Sequence, residues 1–114
     1  MTKKHNGLYE GMYILSSVLS DDARKKVWDK IVAGITDKGG KVMKMHDMGR
    51  RKLAYEIDGK KEGYYYVLFF EAPTSIIVEL WKEYHLIEDL IRFLTMRVEN
   101  VQESLQFKSL VKSA

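Results

Sequence analysis

The chain has 114 residues and a mass of 13.3 kDa, enough for one domain with one ordinary core. Hydrophobic residues at 46% and charged residues at 31% exclude a chain disordered throughout, and the absence of cysteine excludes disulfides, thiolate metal sites and cysteine nucleophiles. Net charge is only +3, yet residues 38–61 hold eight basic against three acidic side chains and residues 62–99 hold three against seven, so the positive charge forms a local island.

Residues 8–15 are aromatic and aliphatic, which predicts a strand buried on both faces. The basic start ahead of it, residues 1–7, leads into no uninterrupted apolar stretch, so neither a signal peptide nor a membrane span is expected. Ser20 predicts a helix N-cap, with Asp21 and Asp22 in the first turn where negative charge suits the dipole. Ala23, Val27, Ile31 and Ile35 recur at spacings of four with Trp28 and Val32 beside them, an amphipathic pattern that Gly39 and Gly40 end.

Residues 41–57 read as one long, imperfectly alternating strand bent near Gly49, and residues 58–63 as a turn. Residues 64–70 place aromatic side chains on both alternation phases, which predicts a central strand. Pro73 can open a second helix at its first position, with Ile77, Leu80, Trp81 and Tyr84 as the inner face. A last strand is expected from about Leu90 to Val98, then a loosely held polar tail.

Two helices cannot cover both faces of a four-stranded sheet, so both are expected on one. The predicted fold class is α+β, a ferredoxin-like split βαβ (βαββαβ) with an antiparallel sheet. Its boundaries are residues 8–99, between an N-terminal extension, 1–7, and a C-terminal tail, 100–114. The second sheet face is expected to be open and apolar, and such a face usually meets a partner.

Catalysis finds little support. His5, His46 and His85 lack metal-ligand spacing, and Asp21 with Asp22 is explained by capping. Glu88 and Asp89 have no implied apolar pocket to split their pKa values, and no phosphate-binding or nucleophile-elbow motif occurs. No enzyme, metal, cofactor or small-molecule substrate is expected. Residues 62–69 fit part of the RNA-recognition-motif pattern, failing at Glu62 and Tyr65. One alternative is therefore a free-standing single-strand RNA binder stacking bases on Tyr13, Tyr64 and Tyr66. A weaker one is a ferredoxin-like small-molecule-binding or enzymatic module.

Tyr9-Glu10, Gly39-Gly40-Lys41-Val42 and, above all, Met48-Gly49-Arg50-Arg51-Lys52-Leu53-Ala54-Tyr55-Glu56-Ile57 carry a resemblance. With Glu62-Gly63-Tyr64-Tyr65 and Ala72-Pro73, they make residues 8–98 similar to the bacterial small-subunit ribosomal protein six family. The resemblance implies a ferredoxin-like, non-catalytic structural component of the small ribosomal subunit in the cytoplasm. It further implies binding to the central domain of small-subunit ribosomal RNA as a heterodimer with small-subunit ribosomal protein eighteen. Carried over, the candidate RNA contacts are Arg50, Arg51 and Lys52, then Arg92 and Arg97 in the last strand. Lys3 and Lys4, in an extension that departs from the family, join them.

Three consecutive strand positions point alternately, so Arg51 should face away from Arg50 and Lys52. An edge strand or a bend at Gly49 would let all three meet one polyanion. Edge charges of this kind also deter sheet-to-sheet association, which is the competing explanation.

Overall fold

The computed structural model describes residues 6–57 and 59–101. Within them lie β1 (Asn6–Ser16), α1 (Asp21–Asp37), β2 (Lys41–Ile57), β3 (Lys60–Pro73), α2 (Ile77–His85) and β4 (Leu90–Val98). The strands make one antiparallel sheet in the order β2-β3-β1-β4, so β1 and β3 are central and β2 and β4 are edges. This is the expected ferredoxin-like α+β arrangement. The extension with Lys3 and Lys4, and the tail beyond Val101, lie outside the described residues.

Local chemistry places the helices. Ser20 Oγ accepts the Ala23 N–H at 3.2 Å and so caps α1. At the other end Gly39 takes φ +90°, and the Gly40 N–H returns to the Ile35 carbonyl at 2.9 Å. The entry to α2 differs from expectation. Pro73 closes β3 in an extended conformation, φ −59° and ψ 136°, and a short 3-10 turn, Thr74–Ile76, intervenes before the helix. Proline's fixed φ fits a strand end as well as a first helical position, so composition alone could not choose.

On the helix-covered face, Tyr9, Tyr13, Leu15, Tyr66, Leu68 and Phe70 pack against Trp28, Ile31, Ile35, Ile77, Leu80 and Tyr84. Trp81 does not join the inner face of α2, as the spacing predicted. It sits at the margin, 39% exposed, and its indole N–H donates to Thr95 Oγ1 at 3.1 Å. With about 100° between successive residues, a helix of nine residues seats one stripe, here Ile77, Leu80 and Tyr84, and leaves Trp81 beside it.

The rings in this core have their polar tips paired. The Tyr13 and Tyr84 hydroxyls are 3.0 Å apart. Burial, reinforced by Tyr84, pushes the Tyr13 phenol well up, and burial pushes Tyr84 up to about 12. Trp28 stacks on Tyr66 at 4.5 Å and aims its N–H at Met45 Sδ. Gly11 makes room for this arrangement, since a Cβ there would stand 2.5 Å from the Tyr13 hydroxyl.

The other face was expected to lie open. Instead Met12, Ile14, Tyr65, Val67 and Phe69 are buried there together with Leu53 and Ile57 from the far end of β2. Met48, Ile91, Val98 and Val101 border this second cluster. β2 reaches across because its register shifts at Val42/Lys44, Asp47/Gly49 and Lys52/Ile57, and such bulges bend a strand and tighten its twist. The β2–β3 hairpin thereby partly roofs the sheet that it extends.

Candidate nucleic-acid interface

The bend in β2 is built locally. Asp47 Oδ1 accepts the Gly49 N–H at 2.9 Å, and Gly49 adopts φ +78°, a conformation that side chains with a Cβ resist. Immediately after it, Arg51 Nε donates to the Met48 carbonyl at 2.9 Å, tying that guanidinium across the bend. Arg50 stands opposite Tyr64 and Lys52 opposite Glu62, on the side of the sheet that carries the helices. Arg51 stands opposite Gly63, on the other side. The expected alternation holds, and the edge position exposes all three.

Arg50 Nη2 lies 3.0 Å from Glu62 Oε2, with both side chains partly exposed. Exposed pairs contribute about 0–1 kcal/mol, so exchanging Glu62 for a phosphate costs the fold little. Lys60 and Lys61 open β3 beside these residues, with Lys60 paired to Ile57 in register. On the same hairpin Tyr55 is 52% exposed. Lys60, Lys61 and Tyr55 were not among the sequence candidates. Their signal was the hairpin itself, which returns Lys60 and Lys61 alongside the arginine run.

The remaining candidates divide. Arg92 and Arg97 sit on β4, the opposite edge, about 14 Å away across two intervening strands. Arg92 stands opposite Ile14 on the hairpin-covered face, and its guanidinium lies 5.9 Å from the Tyr55 ring centroid. The hairpin therefore brings Arg92 to the margin of the basic group. Arg97 stands opposite Tyr9, on the helix side and toward the other end of the sheet, so it is not part of that group.

The stacking platform of Tyr13, Tyr64 and Tyr66 is overturned. Register with β1 puts all three on the helix side. Tyr13 is fully buried and bonded to Tyr84, Tyr66 lies flat against Trp28, and the Arg24 guanidinium covers the Tyr64 ring at 3.8 Å. Arg24 is itself held by Tyr66 Oη at 3.0 Å and Asp21 at 3.1 Å. Base stacking needs rings on an open face, and the phase facing away from the helices holds Tyr65, Val67 and Phe69, all buried.

Comparison with known proteins agrees with this fold. The family described as ribosomal protein S6 matches residues 8–97. Small ribosomal subunit protein bS6 of Protochlamydia amoebophila is 58% identical over 110 residues, covering 96% of each chain. The protein of the same name from Chlamydia pneumoniae is 56% identical, covering 96% of this chain and 98% of that one. The crystal structure of 30S ribosomal protein S6 from Thermotoga maritima superposes with a TM-score of 0.79 at 30% identity, covering 82% of this chain and 89% of the other. The fold and these similarities converge: the chain belongs to the ribosomal protein S6 family and is a non-enzymatic, cytoplasmic protein of the bacterial small ribosomal subunit.

Proposed function

We propose that the β2–β3 hairpin binds the central domain of small-subunit ribosomal RNA, and that the chain does so as a heterodimer with small-subunit ribosomal protein eighteen. One observation carries the RNA half. Arg50, Arg51 and Lys52 stand on an exposed edge beside Lys60 and Lys61 and project to both sides, on the same hairpin as an exposed ring, Tyr55. Phosphates supply most of the affinity for such a patch, and an exposed ring can stack an unpaired base. Arg92 extends the patch. Arg97, and Lys3 and Lys4 in the extension, are secondary candidates.

Salt dependence tests this. Replacing Arg50, Arg51 and Lys52 together with Gln should weaken RNA binding and reduce the slope of log affinity against log salt by roughly 2. An unchanged slope would assign the three to edge protection and move the search to Arg92, Arg97, Lys3 and Lys4. The heterodimer half is tested by titrating RNA with and without protein eighteen. If both proteins share one assembled surface, each should tighten the other's binding, and equal affinities would remove the idea.

A further inference from the structure

The chain leaves β4 in a direction that leads back along its outer edge. β4 ends at Val98, the backbone bends at Glu99 and Asn100, and both Val98 and Val101 pack against the cluster on the hairpin-covered face. In a continuing strand, residues three apart would point to opposite faces. They stand opposite each other on one face when two residues close an antiparallel hairpin, and asparagine tolerates the left-handed backbone that such a turn needs.

Beyond this point the sequence alternates. Val101, Leu105, Phe107 and Val111 take odd positions, with Glu103 and Ser109 the exceptions. Gln102, Ser104, Gln106, Lys108 and Lys112 take even ones, with Leu110 the exception. That is the pattern of a strand with one buried face. Continued from Val101 opposite Val98, the register sets Leu105 opposite Leu94 and diagonal to Met96, with Phe107 diagonal to Leu94. Leu94 and Met96 lie on the hairpin-covered face of β4 and are 43% and 36% exposed. The polar phase then falls on the helix side, with Gln102 opposite Arg97 and Ser104 opposite Thr95.

Among the described residues β4 pairs only with β1, so alternate N–H and C=O groups of its outer side point away from the sheet. Charge separates the tail from a second copy as the occupant. Glu88 and Asp89 precede β4 and Glu99 follows it, so both ends of the strand are acidic. Two β4 strands paired antiparallel about Leu94 would set Asp89 of each against Glu99 of the other, and like charges opposite each other destabilise a pair. The tail instead brings Lys108 opposite Ile91, with Lys112 beyond it, to the end where Glu88 and Asp89 stand. Covalent attachment also gives the tail an effective concentration on the order of millimolar. Arg92 keeps its place beside Tyr55 and takes no part in the choice.

We propose that residues 102–108 fold back as a fifth strand on the outer edge of β4, covering Leu94 and Met96 and closing that edge to other chains. This goes beyond the RNA reading, because it concerns the edge that the basic hairpin does not use.

The chain has no cysteine, so introduced pairs report the register directly. In the full chain, Met96→Cys with Glu103→Cys sets two thiols opposite each other on one face, whereas Met96→Cys with Gln102→Cys sets them on different faces. A disulfide needs Cβ atoms about 4 Å apart, so the first pair should close within one molecule about tenfold faster than the second. NMR of the unaltered chain should show contacts between Leu94 and Leu105 and slow exchange of the outward β4 amides. Leu105→Ser with Phe107→Ser should speed that exchange while the β1 amides stay slow. Equal closure rates, disulfide-linked dimers in place of closure within one molecule, or β4 exchange indifferent to the Leu105 and Phe107 changes would each overturn the assignment.

Discussion

The two faces of the sheet are closed by different means. One is covered by α1 and α2, separate elements whose side chains meet the polar tips of sheet rings, Tyr84 with Tyr13 and Arg24 with Tyr66. The other is covered in part by the sheet's own extension, which lays Leu53 and Ile57 over Met12, Ile14 and Tyr65, with Tyr65 Oη donating to Met12 Sδ at 3.0 Å. The difference matters for function, because the hairpin that roofs the second face also presents the cations. Within one hairpin, inward residues serve the fold and outward residues present charge to solvent.

Substitutions can break or sharpen this contrast. The largest effect should come from the helix side, where Ile31→Ala or Leu80→Ala should cost about 2–5 kcal/mol, a large share of a small domain's stability. Thermal melting reads this directly, and a shift of only a degree or two would mean that the helices do not close the core. Leu53→Ala should cost less, about 1–2 kcal/mol, because a hairpin at an edge can settle into the space left behind. A loss equal to that at Leu80 would make the two faces equivalent.

Tyr84→Phe should cost about 1 kcal/mol, since it leaves the Tyr13 hydroxyl buried without its partner. The same pair sets an alkaline limit. Burial pushes folded Tyr84 up to about 12 from an ordinary value of 10.0 and pushes Tyr13 well up too, so the fold favours both neutral phenols. The resulting stability is fully present below pH 10 and falls as pH rises toward and through 12. Urea midpoints that stayed flat from pH 9 to 12 would contradict the burial of these two hydroxyls. Smallest of all, the triple change of Arg50, Arg51 and Lys52 to Gln should move stability by less than about 0.5 kcal/mol, because exposed charges contribute little. Its effect belongs to RNA binding, and a large drop in melting temperature would deny the separation of inward from outward residues.

The parts legible in the sequence were those with local causes. Ser20, Gly39 and Gly49 announced a helix start, a helix stop and a strand bend because a cap or a left-handed residue acts within its own few neighbours. The two ends of β4 and the element order were equally plain. Illegible were the choices made at long range. Tyr64, Tyr65 and Tyr66 occupy both phases of one strand, and which ring faces the helices is decided by pairing with Leu15, Ile14 and Tyr13. Trp81 and Leu80 look alike at helical spacing until the turn before α2 fixes the helix's rotation. The candidate site suffered most, because β2 bulges decide that Arg92 meets the hairpin while Arg97 does not.

The central position of β1 has a consequence for how the protein is made. β1 is the first strand to be synthesised, yet one of its two neighbours is the last, with Leu8 paired to Val98. A growing chain that stops short of Leu90 leaves one flank of β1 without its strand, and contacts between such distant positions form late. The sheet is thus fastened by its first and last strands, and β1 gains its second neighbour only once β4 has been made. Removing either terminal strand should abolish the whole structure, not shorten it.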